Sequence, residues 1–133
     1  MTKTDRQRKL DRKQREAAGR RAERVATLML LLKGYRILAS RFQGAGGEID
    51  LVVAKPFLGP PKIIVFVEVK QRTRASDLNE AISPRQQARI EAGAGGFLAA
   101  HPHLATCAQR FDGILISPGT LPRHHKNLWQ SAN

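Results

Sequence analysis

Glu68 and Lys70 interrupt a segment that otherwise consists of core residues, Ile63-Ile64-Val65-Phe66-Val67-Glu68-Val69-Lys70. Successive side chains of a strand point to opposite faces, so these two share a face and stand about 7 Å apart. Asp50 interrupts Ile49-Asp50-Leu51-Val52-Val53-Ala54 in the same way. If the two segments pair antiparallel across the proline-rich connection 55–62, Asp50 falls opposite or diagonal to Glu68. Two carboxylates and one ammonium then converge on a half-buried patch. Adjacent desolvated carboxylates repel, and one tends to take up a proton. A divalent cation removes that penalty. Hard oxygen donors suit Mg²⁺ or Mn²⁺, and Asp50, Glu68 and the carbonyl of Val69 are the candidate ligands. Lys70 is placed to orient or help deprotonate an attacking water and to neutralise phosphate charge. The competing reading is a plain ion pair decorating a sheet edge. Continuous apolar flanks on both charged segments favour the site.

The elements that must carry these residues are legible from periodicity and punctuation. Residues 1–18 are almost wholly polar, with Leu10 as the single substantial apolar side chain. They form a basic arm, helical or disordered, that cannot bury a face of its own. It is either a solvated tail or an arm that gains order on phosphates. A domain over 19–133 follows. Ala22, Val25, Ala26, Met29 and Leu32 recur at helical spacing, and Gly34 ends that helix. A strand is expected over 35–42 and a hairpin turn over 43–47. In the next strand, 48–54, Ile49, Leu51 and Val53 belong to one face and Glu48, Asp50 and Val52 to the other. In the strand 63–71, Ile63, Val65, Val67 and Val69 face one way, while Ile64, Phe66, Glu68 and Lys70 face the other. Residues 73–81 are polar and irregular. Ser83-Pro84 opens a second helix as N-cap and first helical residue. Ile90, Ala94, Phe97 and Leu98 provide its buried side, and Gly93, Gly95 and Gly96 weaken it. His101-Pro102 breaks it, a strand covers 110–117, and a last short strand lies near 126–129.

Composition narrows the partners. The 133 residues carry 23 Lys and Arg against 11 Asp and Glu, a formal charge of +12, which points to a polyanion, most simply DNA or RNA. A membrane surface is the weaker candidate, and no apolar run is long enough to span a bilayer. Cys107 is the one cysteine, which excludes an internal disulfide and fits a reducing cytoplasm. His101 with His103, and His124 with His125, lack further zinc ligands at suitable spacing and read as loop or surface histidines. Arg110 and Asp112 read as structural, and Tyr35 and Trp129 as core plugs rather than base-stacking platforms.

The pair Gly47-Glu48-Ile49-Asp50-Leu51 and Val65-Phe66-Val67-Glu68-Val69-Lys70-Gln71-Arg72 resembles the signature of the bacterial YraN family. These proteins are similar to archaeal Holliday-junction resolvases and other PD-(D/E)xK nucleases. The resemblance extends from about residue 19 to 129. It takes in Ala22-Glu23, Gly34-Tyr35-Arg36-Ile37-Leu38, Gln86, Arg89-Ile90 and Arg110-Phe111-Asp112. It implies an α/β fold with the αβββαβ core and a mixed sheet flanked by helices, divalent-metal dependence and phosphodiester cleavage. By position, Asp50 and Glu68 match the metal-binding acids and Lys70 the catalytic lysine. Glu23 matches a first-helix acid that faces the metal in related resolvases, and Gln86 a residue that assists the phosphate. The chain departs from the family in carrying Ala22 where a glycine is usual and Arg85 where a lysine is common.

The expected function is therefore metal-dependent cleavage of branched or structured DNA, with Arg72, Arg74, Arg85 and Arg89 on phosphates. A homodimer would match a two-fold junction. The alternative is a non-catalytic nucleic-acid-binding module that retains the fold and its acidic patch.

Overall fold

The structure is a computed structural model, and it describes residues 4–72 and 81–130. Thr4 caps the first helix, α1 (Asp5–Leu32): its hydroxyl accepts from Gln7 N–H at 3.2 Å, and the Gln7 amide accepts from Thr4 N–H at 3.1 Å. Residues 5–18 of the basic arm are thus helix continuous with the rest, and most of their side chains are exposed. Gly34, at φ +89°, turns the chain at the far end, and Tyr35 N–H returns to Leu30 O at 3.0 Å. Ala22, Ala26 and Leu30 form the buried stripe of α1. Val25 and Leu32, expected within it, are instead exposed at 42% and 81%. From Val25 to Leu32 every residue but Thr27 is apolar, so periodicity there cannot choose a phase. Docking on the sheet chooses it.

Three strands follow, β1 (Arg36–Gly44), β2 (Gly47–Lys55) and β3 (Ile63–Gln71). Then come α2 (Pro84–Ala100), a single 3₁₀ turn (Pro102–Leu104), β4 (Ala108–Ile116) and β5 (Arg123–Trp129). The sheet order is β1-β2-β3-β4-β5. All neighbours are antiparallel except β3 and β4, which run parallel because α2 carries the chain back across the sheet. This is a mixed sheet with a helix on each face in the expected αβββαβ order, extended by β5. The last strand starts at Arg123, earlier than expected.

Helices on both faces explain why β2 and β3 read as near-continuous apolar runs. On the α1 face, Ala26 and Leu30 pack with Tyr35, Leu51, Val53, Val65, Val67 and Ile114. On the α2 face, Ile90, Ala94 and Phe97 pack with Val52, Ala54, Ile64 and Phe66. Ile49 joins the α2 cluster, not the α1 cluster of Leu51 and Val53 as alternation would have it. The break falls at Asp50. The glycines of α2 also have a use beyond weakening a helix. A Cβ on Gly93 would lie 3.0 Å from Ile49 Cγ1, and one on Gly96 would lie 3.0 Å from Gly44 C. Conversely, a Cβ on Gly47 would overlap Arg89 O and Gly93 N. Bare backbone on both sides lets α2 lie directly on the β1–β2 hairpin. Among the described residues, no helix is long and apolar enough to cross a membrane.

Candidate active site

The β2–β3 ladder runs from Lys55↔Ile63 to Leu51↔Val67 and ends there. One step further its register would set Asp50 against Glu68. Instead the Asp50 carboxylate turns in and accepts Val69 N–H at 2.8 Å, the bond an unbroken ladder would give to Ile49. A strand residue directs its N–H and C=O to the same edge, so the Val69 carbonyl faces this opening as well. Hydrophobic flanks on both strands hold the parted ends inside the protein.

Glu68 and Lys70 lie side by side, with Lys70 Nζ 3.5 Å from Glu68 Oε1 and the two side chains only 14% and 15% exposed. The Gln86 amide meets the ammonium from α2. With its oxygen turned to Lys70 it accepts from Nζ at 2.9 Å, and its nitrogen donates to Ala81 O at 3.1 Å. The reverse orientation offers only a 3.3 Å contact with Ser83 N–H, and the charge-assisted bond to the ammonium prevails. Ser83 sets the start of α2 by accepting Gln86 N–H at 3.2 Å, so the cap also positions the amide.

The electrostatics are those of a frustrated pair. Burial pushes the Asp50 carboxyl above the usual carboxylate range, and the charge of Glu23 adds to this against the opposing Val69 N–H and Lys70. Glu68 is raised to about 8, first by burial and then by Asp50. With Glu68 at about 8, the pair retains a proton near neutrality. Among the described residues, no three His, Cys, Asp or Glu side chains gather as ligands. The donors at hand are two carboxylates and one backbone carbonyl. That set fits a hard cation that keeps water in its shell, and does not fit zinc.

The remaining expected site residues divide. Glu23 approaches closely enough to act on Asp50, but its carboxylate is engaged by Arg41 Nε at 2.8 Å. Arg89 pairs with Glu48 at 3.3 Å, and both line a small cavity of about 40 Å³ with Glu68, Gln86 and Ile90. Arg85 is exposed one residue before Gln86. Arg72 follows β3, its N–H bonded to Ile116 O at 3.0 Å and its guanidinium to Gln71 O at 2.8 Å. Arg74 lies outside the described residues. Glu48 and Arg41 are additions. Glu48 was visible as a neighbour of Asp50 on the strand. Arg41 gave no signal, because its position depends on a left-handed backbone, φ +51°, inside β1. A larger recess of about 440 Å³, along Arg8, Asp11, Gln14, Arg15 and Ala18 of α1, involves neither Asp50 nor Glu68.

A second buried polar cluster occupies the α1 face. Asp112 accepts from Arg110 Nε at 2.7 Å, His124 Nε2 at 2.7 Å and Asn127 N–H at 2.9 Å. Lys33 Nζ, which can only donate, meets His124 Nδ1 at 2.9 Å, so that nitrogen accepts and Nε2 donates. Arg110 also donates to Tyr35 Oη at 2.6 Å. Arg110 and Asp112 are therefore structural, as expected. His124, expected at the surface, is instead buried, with its side chain 1% exposed, because β5 starts early enough to carry it over Asp112. Tyr35 is buried, and Trp129 stacks on Phe111 at 4.9 Å.

Comparison with known proteins gives a match to the Uncharacterised protein family UPF0102 over residues 22–116, which includes the parted strands and the whole of α2. A UPF0102 protein of Bradyrhizobium diazoefficiens is 48% identical over 103 residues, covering 77% of this chain and 74% of the relative. One from Parvibaculum lavamentivorans is 44% identical over 112 residues, covering 84% and 80%. One from Paramagnetospirillum magneticum is 44% identical over 116 residues, covering 84% and 86%.

Proposed function

This chain belongs to the uncharacterised protein family UPF0102, and from that premise we propose that it hydrolyses phosphodiester bonds in branched or structured DNA with a divalent cation. The observation that carries the reading is the parted β2–β3 end. There, Asp50 and Glu68 share a buried opening with Lys70; burial raises both acids, and the charge of Asp50 raises Glu68 further. A fold gains nothing in stability from such an arrangement, whereas a site that receives a cation and a phosphate uses each part of it.

Asp50, Glu68 and the Val69 carbonyl would hold the ion. When bound, Mg²⁺ or Mn²⁺ supplies Lewis-acid polarisation of the phosphoryl oxygen and a more acidic water. Lys70 carries the charge that attracts the scissile phosphate and orients the nucleophilic water. Gln86 fixes the ammonium from the side of α2, and Arg72, Arg85, Arg89 and Arg74 are phosphate contacts. The +12 charge and the basic helix bring the polyanion to this face.

A second reading, a binding module without catalysis, is favoured by one observation: the third acid, Glu23, is held by Arg41. Cleavage of junction, flap, single-stranded and duplex DNA in Mg²⁺ or Mn²⁺ separates the two. The parent is expected to cut, and Asp50→Asn and Lys70→Ala, purified identically, are expected not to. Asp50→Asn should bind DNA in EDTA at least as well as the parent, since it removes a charge that repels phosphate. Equal products from all three proteins would mark a contaminant and end the catalytic assignment.

A further inference from the structure

Between α1 and the β1–β2 hairpin lies a recess of about 280 Å³, lined by Arg20, Arg24, Arg41, Glu23 and Leu51 among others. Glu23, which lines the recess, also acts on Asp50, so the recess borders the acid patch from the α1 side. Its charged lining is three arginines against one glutamate. Arg20 and Arg24 are one helical turn apart and therefore share a face. Both are exposed, and neither has an acidic partner among the described residues.

Arg41 gives the recess its distinct character. In the β1–β2 register it falls between Ser40↔Leu51 and Phe42↔Ile49, level with Asp50. Its φ of +51° is uncommon for a side-chain-bearing residue, and such backbone persists only where the surroundings hold it. Glu23 provides one such hold by accepting from Nε at 2.8 Å. That bond uses one edge of the guanidinium. The Nη groups have no hydrogen-bond partner among the described residues. Arg41 offsets the charge of Glu23 through the same bond, and with Arg20 and Arg24 the lining stays net positive toward an incoming anion. The result is a planar fork, held in place, beside two free guanidinium groups.

We propose that this recess is a phosphate subsite that holds a backbone phosphate of the substrate strand next to the phosphate presented to Asp50 and Glu68. Guanidinium forks pair with two phosphate oxygens at once, which suits a phosphodiester better than a monodentate anion. The identity of the strand rests on the nuclease reading above, whereas the anion chemistry rests on the recess itself.

The test is DNA binding in EDTA, where no cleavage occurs, measured by fluorescence anisotropy across a salt series. The parent is compared with Arg20→Ala/Arg24→Ala and with Arg123→Ala/Lys126→Ala, which removes equal charge from exposed positions on β5. The recess variant is expected to lose about tenfold or more in affinity, and its log–log salt slope to fall by about 0.9 for each phosphate it no longer neutralises. The β5 variant should lose less than about threefold. In the unmutated protein, the Arg41 Nε–Hε NMR signal should shift saturably with added DNA, a readout independent of any variant. Equal losses in the two double variants, or an Arg41 signal that does not move, would overturn the subsite. A parent that binds and cuts DNA while the recess variant behaves identically removes the subsite and leaves the nuclease reading intact. A parent with no DNA binding at low salt removes both.

Discussion

Asp50 and Asp112 are both carboxylates taken into the interior of one sheet, and they meet opposite fates. Around Asp112, burial alone would raise the carboxyl. His124, Arg110 and Asn127 N–H outweigh it and hold the group below its ordinary range. Around Asp50, the Val69 N–H and the charge of Lys70 oppose burial and the charge of Glu23, and they lose. The Asp112 cluster is closed: the histidine ring is buried and both carboxylate oxygens are used. The Asp50 cluster is open, with a carboxyl pair that must keep a proton and a strand edge left unpaired. A satisfied buried charge organises the fold. On the function proposed above, the unsatisfied one at the parted strand end is where a cation and a phosphate would bind.

This contrast can be broken most directly by activity. Asp50→Asn should lower cleavage by at least about 100-fold, the scale of losing a group aimed at transition-state charge, with its circular dichroism unchanged. If Asp50→Asn cuts like the parent, the open cluster is not an active site.

Stability should invert the ranking. Asp112→Ala leaves Arg110 and His124 without their partner and is expected to cost about 3–5 kcal/mol in urea unfolding. Asp50→Asn keeps an acceptor for Val69 N–H and removes the repulsion on Glu68, so without metal it should unfold within about 1 kcal/mol of the parent, or above it. Comparable losses at the two positions would show that the acid patch is structural after all.

pH sharpens the comparison further. Glu68 moves from 4.5 to about 8 on folding, so between those values the folded state holds a proton that the unfolded state has lost. Without metal, stability should therefore decline as pH rises through that window, by up to about 1.4 kcal/mol per unit, and level off above it. Divalent-cation affinity should run the other way, rising up to about tenfold per unit until the pair is ionised, with proton release visible by calorimetry. Glu68→Gln should flatten the part of both trends that Glu68 contributes. Asp112 has its carboxyl lowered from 3.8, so its contribution is fully present above that value and is lost only in acid as pH falls through the folded-state pKa.

The smallest expected effect is at Ser83. Removing its hydroxyl in Ser83→Ala loses the α2 cap, about 1 kcal/mol. Because Gln86 sits three residues on and holds Lys70, cleavage should fall by more than unfolding alone explains. A Ser83→Ala protein with full activity and lowered melting temperature would confine the cap to stability.

Much of the site could be read from residue order because strand geometry is local. Glu-x-Lys places two side chains on one face wherever a strand forms, and apolar flanks on both strands require burial. Ser83-Pro84 and Gly34 likewise act within a few bonds of themselves, as N-cap and helix stop, and both are found in place. What the tertiary structure alone decided involves distant partners or a choice of phase. The 25–32 segment, apolar at every position but Thr27, presents Leu30 to the core and leaves Val25 and Leu32 out, because the sheet selects the face. Ile49 changes cores because the ladder ends at Leu51, two residues away. Gly93 and Gly96, unhelpful to an isolated helix, matter for the hairpin backbone that lies against them. His124 is buried because β5 brings it to Asp112, 12 residues distant, while Arg41 meets Glu23 across 18 residues through a backbone angle that no residue type announces. Local stereochemistry is carried by the chain itself, whereas these pairings exist only after distant segments have packed.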